Sequence, residues 1–152
     1  KQATPASPVD FSVRGIVDNY LKLKNALTKD DTKTASEAAR AIVHDLNEMD
    51  PNSLPTKQKQ SFLDIAGDAI EHAEHIRDNA SNIEHQREHF AILSKDVNDL
   101  IETFPAGQKL YQVFCPMYND GKGAIWLSEN KEIKNPYYGS KMLTCGTVKK
   151  EF

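Results

Sequence analysis

Apolar residues recur at three- and four-residue steps through four successive stretches of this chain, and the pattern stops at Phe104-Pro105. That period belongs to amphipathic helices and excludes a sheet as the main architecture. The first helix is expected from about Asp10 to Lys29, on Val13, Ile16, Val17, Tyr20, Leu23 and Leu27. The second runs from about Thr34 to Met49, with Ala35, Ala38, Ala39, Ile42 and Leu46 as its stripe. Asp50-Pro51-Asn52-Ser53-Leu54-Pro55 breaks the chain, and Pro55 or Thr56 opens a third helix carrying Phe62, Ile65, Ala66, Ala69, Ala73 and Ile76. After a short turn at 79–82, the fourth helix carries Ile83, Phe90, Leu93, Val97, Leu100, Ile101 and Phe104, and Pro105 ends it. Four such helices with short connections predict a mainly α fold, an antiparallel four-helix bundle.

Beyond Pro105 the character of the sequence changes. Five of the seven glycines, seven of the twelve aromatics and both cysteines lie there. Leu110–Cys115 and Gly123–Leu127 read as β-strands joined through Asn119-Asp120-Gly121, a hairpin in a tail expected to pack on the bundle. The chain therefore divides into an unstructured lead-in at 1–9, a helical part at 10–104 and an aromatic, glycine-rich tail at 105–152, the last two sharing one domain.

A net charge of −3 over 152 residues gives no basic field for nucleic acid. No apolar run reaches the roughly 20 residues of a membrane span. The chain opens at Lys1 without Met, as after removal of a leader or at an expression boundary. Phosphate-binding glycine loops and the G-x-S-x-G nucleophile turn do not occur, so nucleotide and hydrolase chemistry lack a motif and a non-catalytic role is expected.

All five histidines lie between His44 and His89. On a wheel centred on Phe62, His72 and His75 fall about 80° and 140° to one side of the apolar direction; on one centred on Phe90, His89 and His85 fall about 100° and 140° to the same side. In antiparallel neighbours such flanks face each other. His72 and His89 are each about 8.5 residues from a turn centred between Ala80 and Ser81, and His75 and His85 share the next level about 5 residues out. A two-by-two cluster follows, and imidazole suits copper, zinc and nickel. Alternatively the four belong to a solvated face with Glu71, Glu74, Glu84 and Glu88. His85-Gln86-Arg87-Glu88-His89 also matches the short H-x-x-E-H zinc-protease pattern, but that chemistry needs a larger scaffold and a further acidic ligand. Gln86 and Arg87 intrude on the apolar stripe, where they are expected to hydrogen-bond the tail.

The tail gathers soft ligands. Cys115 and Met117 stand at one end of it, and Met142 and Cys145 at the other. Thiolate and thioether select Cu(I) and related ions. A Cys115–Cys145 disulfide is the competing reading; it would close a loop of about 31 residues and stabilise the fold by roughly 3–4 kcal/mol. A metal site could combine His89 and His72 with sulfur from the tail, or imidazole and sulfur could form two separate sites.

Three stretches carry a resemblance: Asn82–Phe90 with Leu93-Ser94, Phe114–Met117 with Gly123–Ser128, and Asn135–Gly139 with Met142–Gly146. Together they resemble a bacterial family of uncharacterised extracytoplasmic domains, found alone or fused to periplasmic adaptors of copper and other heavy-metal efflux systems. Cys115-Pro116-Met117 is also similar to the Cys-Pro-Met-His-Pro element of small metal-binding domains on such adaptors, with Tyr118 and Asn119 in place of its His-Pro. The resemblance implies a periplasmic or otherwise extracytoplasmic protein, with a lipid anchor on a removed leader allowed, that binds copper and works with an efflux adaptor or another envelope protein. The alternative is a non-catalytic interaction module of the envelope, stapled by Cys115–Cys145.

Overall fold

The computed structural model describes residues 11–152; the expected lead-in at 1–9 lies outside them. Four helices, α1 (Arg14–Thr28), α2 (Thr32–Glu48), α3 (Thr56–Asp78) and α4 (Ile83–Thr103), pack in sequence order, as the apolar spacing predicts. The first starts later than Asp10. Phe11 and Val13 are buried outside the helix, and Phe11 sits edge-on to Phe62 with ring centroids 4.9 Å apart. Burying that ring holds the chain off the helical path until Arg14. The second starts earlier than Thr34, because the Asp31 carboxylate accepts the Thr34 N–H at 3.0 Å and caps the first turn at Thr32. Asn82 caps α4 in the same way through the His85 N–H.

Three strands follow, β1 (Tyr111–Cys115), β2 (Ala124–Ser128) and β3 (Thr147–Glu151), in one antiparallel sheet of order β2-β1-β3. The hairpin of β1 and β2 is the expected one. The third strand is an addition: only Val148 of its five residues is even half-buried, so it carries no alternation from which a strand would be read. β2 lies against both α4 and α1, which places the tail over the bundle.

One side chain ties the tail down. Tyr20 of α1 is fully buried; its hydroxyl shares a hydrogen bond with Ser94 of α4 at 2.7 Å and accepts the Leu127 N–H of β2 at 3.0 Å. A buried hydroxyl without partners would be costly, so these bonds fix the relative positions of three elements. Around it, Phe90, Trp126 and Tyr137 complete an aromatic core shared by bundle and tail.

Arg87 and Gln86 fill the polar gaps in that core. Arg87, 3% exposed, donates to the carbonyls of Pro136 and Leu27 and to Asp30, joining the tail to α1 as expected. Gln86 does otherwise: its amide donates to the carbonyls of Thr32 and Ile76, so it ties the helix ends together and leaves the tail alone. The α3–α4 hairpin and the α1–α2 turn lie within its reach, while the tail crosses the Arg87 side of the helix. Where the tail passes Arg87, Gly139 adopts φ +55°, and a Cβ there would stand 2.0 Å from the Asp30 carboxylate. Only glycine fits.

Candidate metal centre

The short turn between α3 and α4 sets the two helices level by level, and the histidine flanks meet. His72 Nδ1 lies 2.9 Å from His89 Nδ1. His75 stacks on His89 with centroids 4.2 Å apart and planes 2° from parallel, and His85 lies 4.7 Å from His89. His75, His85 and His89 each offer a ring nitrogen within 4.8 Å of the other two, an arrangement able to hold a metal ion. Tetrahedral coordination with metal–nitrogen bonds of 2.0–2.1 Å needs nitrogens about 3.3 Å apart and the ion in the plane of each ring, so ring rotations, above all of His75 out of its stack on His89, are needed to close the site. His75, exposed at the rim, is free to make them.

Neighbouring groups decide which nitrogens are free to face an ion. The Asp68 carboxylate lies 3.4 Å from His72 Nε2, which favours the proton on that nitrogen. His72 Nδ1 is then left as an acceptor, so His89 donates to it from Nδ1 and keeps the Nε2 lone pair for a metal. His85 is oriented in the same sense, with Glu88 3.4 Å from its Nδ1. The buried His72 thus acts from behind the ligands: it positions His89.

Electrostatics keep the site ready to bind. Burial lowers the His89 pKa to about 4, and repulsion between a charged His89 and its neighbours His75, His72 and His85 pushes in the same direction. His89 is therefore neutral at physiological pH, the form that ligates metal.

Behind His72 the polar seam continues to a pair of carboxyls that the sequence reading missed. Burial first, then hydrogen bonding and repulsion from Asp68, raise the Asp96 pKa to about 8. Asp96 Oδ2 is buried without a partner if both groups are ionised, and a proton shared with Asp68 supplies one. A signal was present: both residues sit about 120° from the apolar centres of their helices, on the histidine flank.

The sulfur ligands lie elsewhere. Cys115 is buried at the end of β1, Cys145 is half-buried before β3, and both are free thiols in contact with each other. Met117 is 54% exposed beyond β1, and Met142 is half-buried after the short helical turn Gly139–Lys141. Among the described residues no cysteine joins the histidine group, so the one-site arrangement of imidazole with thiol is not formed. His44 is exposed on α2.

Residues 16–109, more than half of the chain, match a family described as a protein of unknown function, DUF3347. No curated protein and no solved structure matches.

Proposed function

Because the chain belongs to the DUF3347 family, whose function is unknown, we propose its role from its own side chains: it binds a copper ion at His75, His85 and His89 and passes it on. The observation that carries this reading is the grouping of those three imidazoles on the α3–α4 seam, each with a ring nitrogen within 4.8 Å of the other two. A neutral nitrogen donor set binds Cu(II) more tightly than the other common divalent ions of its row. Three protein ligands leave a coordination position open, and the exposed His75 at the rim gives an acceptor a route to the ion. Both features suit a carrier better than a buried structural site.

The role is non-catalytic in this reading. In the H-x-x-E-H zinc-protease pattern the glutamate activates the metal-bound water, and Glu88 instead lies 3.4 Å from His85 Nδ1. The tail motifs that resemble domains on metal-efflux adaptors support an extracytoplasmic location, with an adaptor or another envelope protein as the receiving partner in metal resistance. Elemental analysis of protein isolated from its native compartment after growth with added copper tests this directly. About one copper per chain, lost when His75, His85 and His89 are replaced, is expected. Zinc alone, or copper retained by the triple variant, contradicts it.

A further inference from the structure

We propose that Cys115 and Cys145 are a dithiol built to form a disulfide, which locks β1 to the segment leading into β3. This inference is independent of the histidine site. β1 and β3 run antiparallel with Phe114 opposite Thr147, so the residues just before β3 come alongside Cys115. The Cys145 thiol has Cys115 as a close neighbour, whose charge and hydrogen bonding raise its pKa.

Cys145 is held there by its surroundings. Asn135 is fully buried, and its side chain donates to the Cys145 carbonyl at 2.7 Å. Its own backbone N–H donates to the Leu143 carbonyl, and its side-chain oxygen accepts the N–H groups of Tyr137 and Tyr138. One asparagine thereby fixes both ends of the segment between itself and Cys145. On the other side Gly146 lies against Trp126, whose Cη2 a Cβ would approach to 2.7 Å.

The environment selects a disulfide over a metal. Cys115 belongs to the apolar core and Cys145 packs against it. Two thiolates around a monovalent ion would place a net negative charge in that core, which is costly, whereas a disulfide is neutral. Access is asymmetric, since Cys115 is fully buried and Cys145 is half-buried. Exchange therefore begins at Cys145. Its thiolate attacks a sulfur of an external disulfide, forms a mixed disulfide and releases one thiolate; Cys115 then attacks the Cys145 sulfur, its proton passing to the departing sulfur, which leaves as the second thiol. Two thiols are oxidised, and the external disulfide is reduced to two thiols. Burial pushes the Cys145 thiol up, so the first step is slow at neutral pH and accelerates as pH rises.

Equilibration of the wild-type protein in glutathione redox buffers, folded and in denaturant, tests the proposal. The folded protein should lose both thiols without a net glutathione adduct, at an effective thiol concentration at least about tenfold above that of the denatured chain. Cys115→Ser should instead accumulate one glutathione at Cys145. A stable adduct on the wild type, a folded value no higher than the denatured one, or a copper(I) complex that resists oxidised glutathione would overturn it. The wild-type comparison decides even if the variant does not fold.

Discussion

His75 and His89 stack face to face, their ring centroids 4.2 Å apart and their planes 2° from parallel, across the seam between α3 and α4. Two imidazolium ions would repel strongly at that separation. The stacking therefore belongs to rings of which at least one is neutral, in keeping with the His89 pKa of about 4. A metal ion bound there would take the place that protons otherwise contest.

The groups behind the ligands should matter to metal affinity without touching the ion. His72→Ala removes the acceptor that orients His89, and Asp68→Asn removes the charge that fixes the His72 proton. Each should weaken copper binding by about 10–100-fold. His44→Ala, on an exposed face of α2, should leave it unchanged. Competition titration against a chelator of known affinity reads the difference.

Asp96 makes the metal-free protein sensitive to alkali. Its folded pKa of about 8 lies above the ordinary value of 3.8, so the folded state holds a proton that the unfolded chain gives up. That contribution is full below about pH 4 and lost as pH rises through 8. Asp96→Asn should accordingly stabilise the protein at pH 9 relative to pH 5, by about 1 kcal/mol after allowance for the half-exposed site. Urea unfolding at the two pH values checks the sign.

An opposite dependence is expected at Glu129. Burial alone would raise its carboxyl, but hydrogen bonds from Lys24 and Asn25 outweigh that and bring it to about 2. The same burial pushes Lys24 down although Glu129 pulls it up, so the pair is held at a desolvation cost. Its stabilisation is present above about pH 4.5 and disappears as pH falls toward 2. Glu129→Gln leaves Lys24 buried without its counter-charge and should cost about 2–3 kcal/mol at pH 7, a penalty that shrinks toward pH 2 in acid unfolding curves.

Gly139→Ala tests the joint between tail and bundle. The new Cβ would collide with Asp30 and Arg87 at a positive φ, so a loss of about 2–3 kcal/mol in thermal or urea unfolding is expected. An exposed control, Gly67→Ala, meets nothing within 4 Å and lies inside α3, where alanine should stabilise slightly.

The helices and the levels of the histidines were legible because one period governs both. A stripe at 3.6 residues fixes which flank His72 and His89 occupy, and a four-residue turn fixes how far each stands from the crossing. Gln86 was legible as a buried polar residue but not by its partners, since the Thr32 and Ile76 carbonyls it satisfies belong to helix ends whose positions only packing determines. β3 escaped notice for a different reason. As an edge strand it is specified by backbone pairing with β1, and its side chains need no alternating pattern to sit in solvent. The carboxyls of Asp68 and Asp96 looked like ordinary helix-surface charges, because sequence does not report that two such groups will face each other and share a proton.

One metal ion is expected to bind at His75, His85 and His89. Titration of the metal-free protein with Cu(II), followed by calorimetry and by electron paramagnetic resonance, tests it most directly. One ion per chain with nitrogen hyperfine structure from imidazole is expected, with an affinity that falls at least about 100-fold in His89→Ala while Cys115→Ser and Cys145→Ser leave it unchanged. Absence of nitrogen coupling, or affinity that survives His89→Ala and fails with the cysteine variants, would contradict it.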